Sequence, residues 1–263
     1  MSDPVKERTQ GAPNDEVEML SNERMLSVLD LFDLEQPEWT FDEIGARIEC
    51  GRSTLYRHIK LLVDSGLLMT VTESVYRLGP RIIEFDHQIR ATDPLIRAAR
   101  PLMGEIVREE AGVSLLCRRY RDRVLCVHQE ASTTHFSSNY ERGRARPLLR
   151  GAASLAILMH FPSHQLAKLY DQMPEALEDA GLGSSLTELR ANLRAMRQNG
   201  WVTTEGQVTP GVTGIAAPVF GRGDEISASL SLTIPETGLS DERREALGKR
   251  ILFCARVVTS ASQ

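Results

Sequence analysis

Residues 51–66, with the sequence GRSTLYRHIKLLVDSG, place basic and hydroxyl side chains at a spacing that suits contact with nucleic acid. Guanidinium and ammonium groups neutralise phosphates, and hydroxyl groups bond to phosphates or base edges. The side chains that share this chemistry are Thr54, Tyr56, Arg57 and Lys60. No carboxylate occurs in the stretch before Asp64, so it predicts a local surface that binds polyanions.

A single helix would hold these basic side chains on one face. The apolar positions of the stretch recur at the spacing of the opposite face: Leu55, Ile59, Leu62 and Val63. Ser53 is placed to cap the start of this helix, and Gly66 is placed to end it. An ordinary amphipathic helix with a solvated basic face would show the same pattern, so the neighbouring elements have to decide between the two.

The residues on either side complete a helix-turn-helix pattern. An apolar pattern over 25–34 predicts a first helix, and Thr40 with Glu43 forms a capping box that starts a second helix. A short turn containing glycine then leads into the basic helix. Residues 71–78 favour two strands with a tight turn, which predicts a hairpin of the kind called a wing.

Charge is segregated along this part of the chain. Residues 44–63 carry four cations and one anion, a local charge of +3, although the whole chain has a formal net charge of -5. The net charge argues against a protein wrapped wholesale in nucleic acid. The local excess of cations favours a confined face that displaces counterions from DNA phosphates.

Residues 81–263 predict a mixture of helices and strands. A linker helix over 81–91 precedes an amphipathic helix over 95–110, in which Pro101 is expected to cause a kink or a restart. The polar residues 118–123 form the predicted tip of a hairpin. Further strands and helices are expected at 113–117, 124–128, 152–159, 163–171, 185–199, 201–204, 215–220, 226–234 and 241–260. Helices flanking a mostly antiparallel sheet give an α+β domain, in which one face of the sheet carries a pocket.

Catalytic and metal-binding arrangements are not evident in the sequence. The four cysteines are widely spaced without a CxxC motif, and free thiols in a reducing cytosol are the simplest interpretation. His160 and His164 have the spacing of a zinc pair, but Pro162 lies between them and no third ligand is near. No nucleophile elbow, Ser-His-Asp spacing or phosphate loop is present. The sequence therefore predicts no enzyme, no metal and no cofactor.

Several motifs resemble those of the IclR family of bacterial transcription regulators. GRSTLYRHIKLLVDSGLL begins at Gly51 and YRLGP ends at Pro80, while GRARPLLRGAASLAILM and GVTGIAAPV begin at Gly143 and Gly211. The resemblance implies an N-terminal winged helix-turn-helix and a C-terminal, GAF-like α+β domain that binds an effector. It also implies that the residues facing DNA are Arg52, Ser53, Thr54, Tyr56, Arg57 and Lys60. With Arg77 of the wing, the cations of this set are expected to make DNA binding strongly dependent on salt.

The same resemblance implies an effector pocket in the second half of the chain. Its expected lining is Ser138, Ala152, Ala153, Thr204, Val212, Gly214, Ser231 and Thr233. Small residues leave space there, and the hydroxyls of Ser231 and Thr233 share a face because they are two residues apart on one strand. Arginines are dense over 118–150, and Arg146 or Arg150 is placed to bind a carboxylate as a bidentate pair.

An organic or aromatic acid is the expected class of effector. Leu149 and Leu155 stand where many members of the family carry His and Lys, so no effector can be transferred directly from a relative. Both leucines reduce the polarity near the expected mouth of the pocket.

At 263 residues, the chain has room for two domains of ordinary size. The expected organisation is a disordered arm over 1–21, the winged helix-turn-helix over 22–80, a linker helix over 81–93 and the effector-binding domain over 94–263. Expected partners are double-stranded operator DNA, a small-molecule effector and further copies of the chain in a homodimer or homotetramer. No apolar run reaches the ~18 residues that span a membrane, so a cytoplasmic protein is expected.

Two other classes of protein stay open at this point. One is an enzyme that processes a small molecule and carries an accessory winged helix, although no acid/base or nucleophile pair supports it. The other is a module whose winged helix binds a protein partner instead of DNA. The local charge of +3 over residues 44–63 favours DNA.

Overall fold

The computed structural model describes residues 22–132, 141–235 and 238–262. The chain divides into two compact units, Met1–Ala91 and Thr92–Gln263. The disordered arm expected over 1–21 lies outside the described residues.

The first unit combines short helices with a small antiparallel sheet. Its strands pair in the order β1-β3-β2, and the turn between β2 and β3 forms the predicted hairpin. Its described elements are helical residues 22–27 (α1), a 3₁₀ turn at Leu29–Leu31, β1 (Trp39–Thr40), α2 (Phe41–Arg47), α3 (Arg52–Asp64), β2 (Leu68–Thr72), β3 (Val75–Leu78) and α4 (Arg81–Thr92). Helices α2 and α3 with the turn between them are the expected helix-turn-helix.

Helix α3 buries the apolar face that its sequence pattern predicts. Leu55, Ile59 and Leu62 are buried in the core of the first unit, where they meet Val28 and Ile44. Burial of one face leaves the other face of α3 in solvent, so the basic side chains do not contribute to the core.

The capping box at the start of α2 is confirmed. The hydroxyl of Thr40 accepts the amide hydrogen of Glu43 at 3.2 Å, and the Glu43 carboxylate accepts the amide hydrogen of Thr40 at 2.8 Å. These bonds from Thr40 lower the pKa of the Glu43 carboxyl below its ordinary value. Two amides without helical partners are satisfied in this way.

Two glycines hold the end of α3 against the wing. Gly66 ends the helix with φ of +74°, a left-handed conformation that glycine adopts without strain. Gly79 lies so close to it that a Cβ at Gly79 would come within 2.1 Å of the Gly66 carbonyl oxygen. The amide of Gly79 donates to the Leu67 carbonyl at 2.8 Å. A side chain at Gly79 would therefore separate strand β3 from the end of α3.

Two local predictions in the first unit are wrong. Ser53 does not cap α3, because the N-cap residue is Gly51 and Ser53 lies exposed inside the first turn. The first helix is also shorter than the apolar pattern over 25–34 predicts. The Asp33 carboxylate accepts the amide hydrogen of Gln36 at 2.7 Å, and this side-chain bond holds the chain in a turn instead of a helix.

The second unit is an α+β domain, which confirms the predicted class. Its six strands form one antiparallel sheet in the order β6-β5-β4-β9-β8-β7. The elements of this unit are α5 (Pro94–Glu109), β4 (Val113–Tyr120), β5 (Arg123–Ala131), β6 (Ala145–Pro147), α6 (Ala152–Leu158), α7 (Ser163–Gln172), α8 (Pro174–Asp179), α9 (Leu186–Asn199), β7 (Val202–Glu205), β8 (Thr213–Phe220), a 3₁₀ turn at Arg222–Asp224, β9 (Ile226–Ile234) and α10 (Asp241–Ala261).

The two faces of the sheet are covered by different helices. Helices α5 and α10 pack on one face, where Leu116 and Leu230 point into their core. Helix α6 packs on the other face, and Leu115 of β4 points toward it because neighbouring residues of a strand alternate between faces. All seven residues of α6 are buried.

Three features of the second unit differ from the sequence-based expectation. Helix α5 continues through Pro101 without a restart. Strands β4 and β5 extend through most of the predicted polar tip, so the turn shrinks to Arg121 and Asp122. Strand β6 and helix α8 were not predicted, because each is short and their residues show no clear period.

The start of α5 is tied to the sheet by one carboxylate. Asp93 accepts the amide hydrogens of Leu95 and Ile96, at 2.9 and 3.4 Å, and thereby caps the helix. Its two oxygens also accept from the guanidinium of Arg118 on β4, at 2.8 and 3.2 Å. The Asp93 side chain is only 9% exposed, so these bonds replace its contacts with water.

We expect Asp93→Ala to lower the free energy of unfolding of the second unit by about 2–3 kcal/mol, because a cap and an ionic partner are lost together. The matched control is Ser240→Ala, which removes the cap of α10, a single bond to the amide of Arg243. It should lower that free energy by about 1 kcal/mol. Urea denaturation followed by Trp201 fluorescence in a Trp39→Phe background measures both. Equal losses in the two variants would contradict a contribution from Arg118.

Candidate functional site

The exposed face of α3 carries most of the side chains expected to contact DNA. Arg52, Ser53, Arg57 and Lys60 are exposed, and Tyr56 is 61% exposed. Thr54 is half-buried. The structure therefore presents a basic and hydroxyl-bearing surface on one side of a single helix, and it projects from the first unit.

A cleft beside this face runs from the start of α3 to the tip of the wing. It measures about 640 Å³ and is lined by Phe41, Asp42, Arg52, Ser53, Tyr56, Arg57, Glu73, Ser74 and Tyr76. Four of the expected DNA-contacting residues meet there, whereas Thr54 and Lys60 lie elsewhere on α3. Arg77 is exposed on β3, and its Nε atom donates to the sulfur of Met69 across the hairpin at 3.3 Å.

An exposed carboxylate already engages one of the cations. Arg52 donates to the Asp42 carboxylate at 2.9 Å, and both side chains are 78% exposed. The guanidinium also lies over the ring of Phe41, 4.9 Å from its centroid. A DNA phosphate that approaches Arg52 therefore competes with Asp42.

His58 is a buried residue of α3 that the sequence interpretation did not include. Its side chain is 5% exposed, on the same face as Leu55 and Leu62. Burial lowers the pKa of His58 below its ordinary value, and the positive charges of Arg57 and Arg24 lower it further. The spacing of three residues from Leu55 was the available signal for its burial.

In the second unit, seven of the nine residues expected to bind an effector line one pocket. They come from α6, β7, β8, β9 and the loop before β8, which meet beside the start of α6: Ala152, Ala153, Thr204, Val212, Gly214, Ser231 and Thr233. Leu115, Gly151, Gln207, Val208 and Thr209 complete the lining and were not predicted. The pocket is narrow, with a volume of about 30 Å³.

The polar groups of this pocket are hydroxyls, one amide side chain and backbone atoms. The Thr204 hydroxyl accepts the amide hydrogen of Ala152 at 3.0 Å, and the Gln207 side-chain oxygen accepts that of Gly151 at 3.0 Å. The Ser231 hydroxyl donates to the Leu115 carbonyl at 3.4 Å. None of the described residues in the lining is charged.

Gly214 sets the depth of the pocket between β8 and α6. A Cβ at this position would lie 3.3 Å from the Cβ of Ala152 and 3.4 Å from the hydroxyl oxygen of Thr204. The first distance is tight, so Ala152 would have to shift by a few tenths of an ångström, and the second is ordinary contact. A methyl group at this position would therefore fill the space between β8 and α6.

Four residues singled out near the expected pocket lie elsewhere. Arg146 and Arg150 line a second cavity of about 670 Å³, together with Leu149. Leu155 of α6 is buried in the hydrophobic core on the α6 side of the sheet. Ser138 lies outside the described residues. The arginines and the hydroxyls thus belong to two different sites, because the chain passes from β6 into α6 between them.

The sequence matches the family model described as bacterial transcriptional regulator IclR C-terminal over residues 87–260. A helix-turn-helix domain model matches residues 20–71. The chain belongs to the IclR family. It is a helix-turn-helix transcriptional regulator, which confirms the principal interpretation of the sequence and does not support either alternative class.

Relatives of the IclR family share both halves of the chain. The HTH-type transcriptional regulator KipR of Bacillus subtilis is 22% identical over 87% of this chain and 91% of KipR. The IclR transcriptional regulator from Alicyclobacillus acidocaldarius superposes with a TM-score of 0.76 at 19% identity, covering 92% of this chain and 98% of that one. An IclR homolog from Microbacterium hydrocarbonoxydans, complexed with 4-hydroxybenzoate, gives a TM-score of 0.72 at 20% identity, covering 92% and 98%. At these identities the structural likeness establishes the fold.

The described residues contain neither a candidate metal site nor a candidate membrane span. No group of three or more His, Cys, Asp or Glu side chains in this part of the chain is arranged to hold a metal ion. Within the same residues, no helix combines the length and apolar character needed to cross a membrane.

We expect Asp42→Asn to tighten DNA binding by roughly two- to fivefold at low salt, because it removes a negative charge that competes for Arg52. Stability should change little, since an exposed ion pair contributes about 0–1 kcal/mol. The control is Asp30→Asn, the same charge change at an exposed residue outside the cleft. Fluorescence anisotropy with an operator fragment measures the affinity at several salt concentrations. An equal gain in both variants would mean that only net charge matters.

Proposed function

We propose that the exposed face of α3 and the wing bind operator DNA through Arg52, Ser53, Thr54, Tyr56, Arg57, Lys60 and Arg77. The observation that supports this most is the separation of α3 into an apolar buried side and a basic exposed side. A helix of this kind fits the major groove, where arginine contacts guanine or phosphate and hydroxyls contact phosphates. In this proposal, residues 22–80 bind DNA, residues 81–93 link the two domains, and residues 94–263 bind the effector.

We propose that the chain acts as a homodimer or a higher assembly. One recognition helix reads few base pairs, and a second copy doubles the contacts and selects two spaced half-sites. Helix α4 offers an apolar surface for pairing, because Ile83, Phe85 and Ile89 are 72%, 40% and 55% exposed. No residue of α4 is buried within the chain.

We propose that the pocket under α6 binds a small organic effector, through either its carboxylate or an uncharged part. Carboxylate oxygens would replace the side-chain oxygens of Gln207 and Thr204 as acceptors for the amides of Gly151 and Ala152. The 4-hydroxybenzoate bound by the Microbacterium homolog supports an aromatic acid. Because the pocket measures about 30 Å³, Gln207 and its neighbours at 206–212 have to move outward to admit a ring.

The effector regulates DNA binding only as far as it prefers one geometry of the assembly. We infer that the chain itself is not an enzyme, since its proposed pocket holds hydroxyls and amides without a nucleophile and a base in contact. A regulator of bacterial transcription works beside the chromosome, so we place this protein in the cytoplasm.

The DNA-binding proposal is tested by Arg57→Gln and Lys60→Gln. Each variant should weaken binding to a fragment of the chain's own upstream region by about tenfold and reduce the salt slope by about 1. The control is Lys168→Gln, which removes an exposed cation from α7 in the second unit. Anisotropy titrations from 50 to 200 mM salt, with random duplex as competitor, provide the measurement. Unchanged affinity and slope in both α3 variants would refute the proposed contacts.

The pocket proposal is tested by Gly214→Ala. Operator binding without ligand should stay within about twofold, because the change lies outside the first unit. The response of operator binding to an aromatic acid, measured with 4-hydroxybenzoate and benzoate, should be lost because the new methyl group occupies the pocket. Ala191→Ser, at an exposed position of α9 outside the pocket and the second cavity, is the control. If neither acid alters operator binding or thermal stability of the unmodified chain, the aromatic-acid proposal is wrong.

A further inference from the structure

The second cavity lies at the edge of the six-stranded sheet, outside the pocket under α6. It measures about 670 Å³, which is within the range of ordinary small-molecule sites. Its walls come from the edge strand β6, from the segment that leads into α6 and from α8. No residue of its lining is shared with the pocket under α6.

Positive charge predominates in this cavity. Three arginines line it, Arg123, Arg146 and Arg150, against two carboxylates, Asp122 and Asp179. Asp122 is 3.9 Å from Arg123, so this pair largely offsets itself. The lining as a whole therefore carries one more positive than negative charge.

The backbone fixes where the arginines stand. Arg146 lies opposite Val124 in the pairing of β6 with β5, and Arg123 lies opposite Pro147. The side chain of Arg146 is half-buried, and that of Arg150 is exposed. A guanidinium in partly apolar surroundings attracts an anion more strongly than one in open water.

The cavity also has an apolar wall. This wall is formed by the buried side chains of Leu148 and Leu149 and by the half-buried side chain of Met173. A ligand that fits both features has a compact apolar body and one carboxylate. Arginine is suited to such a group because its planar fork donates two parallel hydrogen bonds to a carboxylate.

We propose that this cavity is a second small-molecule site, which binds an organic carboxylate through Arg146 and Arg150. The site is separate from the effector pocket described above, and the proposal does not depend on which ligand that pocket binds. The pocket offers backbone amides and uncharged side chains, whereas the cavity offers guanidinium groups, so the two sites would hold a carboxylate through different donors.

The segment between the two sites gives them a direct connection. Arg150 lines the cavity, and the next residue, Gly151, lines the pocket. Gly151 has φ of +86°, and its amide donates to Gln207 in the pocket wall. A carboxylate that draws Arg150 toward the cavity therefore acts on the bond that closes the pocket.

The experiment isolates the cavity by closing the pocket with Gly214→Ala in the full chain. Isothermal titration calorimetry then measures binding of benzoate, with neutral benzamide as the comparison ligand. Adding Arg146→Gln and Arg150→Gln should weaken benzoate binding by at least about tenfold and leave benzamide binding unchanged. Arg144→Gln with Arg194→Gln is the matched control, since both residues are exposed and neither lines the pocket, the cavity or the cleft beside α3. Equal weakening in the control would overturn the proposal.

Two further measurements keep the test decisive if a glutamine variant folds poorly. Ala176→Phe keeps all three arginines but places an aromatic ring in the cavity from α8. It should abolish the binding of benzoate in the same titration. Crystals of the unmodified chain grown with 4-bromobenzoate should show a bromine anomalous peak between β6 and α8. A peak only in the pocket under α6, or no peak in either place, would overturn the second site. A peak only in the cavity would support the second site, and it would contradict only the proposal that the pocket under α6 binds an aromatic acid.

Discussion

Helix α6 has no face in solvent, so its polar atoms need hydrogen-bond partners within the second unit. The Thr204 hydroxyl accepts from the amide of Ala152, the Ser229 hydroxyl donates to the carbonyl of Ala153 at 2.8 Å, and Ser154 donates to Pro147 at 2.9 Å. A buried polar group without a partner would cost about 1–3 kcal/mol, so these bonds constrain where α6 can lie on the sheet. The pocket opens on one side of its start and the cavity on the other.

The two units use charge in opposite ways. On α3 the cations stay exposed, where ion pairs such as Arg52 with Asp42 contribute little to stability and remain available to phosphates. In the proposed DNA complex, affinity would come chiefly from counterion release, a contribution that depends on salt and not on fine geometry. The pocket under α6 is neutral in its described lining, so the proposed recognition of an effector there would depend on shape and on a few hydrogen bonds.

Strand β4 carries one residue that lines the pocket and another that holds the start of α5. Leu115 lines the pocket, and Arg118, three residues later, holds the carboxylate of Asp93. Asp93 directly follows the linker helix α4 and caps α5.

Sequence alone determined the elements whose signals are local. The period of Leu55, Ile59 and Leu62, the Thr40–Glu43 capping box and the wing hairpin are visible in short windows, because each depends on residues that are neighbours in the chain. Family resemblance also selected seven residues that meet in one pocket. The cap at Ser53 failed as a prediction because several nearby residues can begin a helix, and packing selected Gly51.

Tertiary structure alone decided what depends on distant residues. Strand β6 exists because β5 pairs with it, and this pairing carries Arg146 to a cavity away from the hydroxyls of Ser231 and Thr233. The chain order of these residues does not show on which side of α6 each one lies. That division arises from the way strands far apart in sequence are joined by hydrogen bonds, a constraint that no local pattern contains.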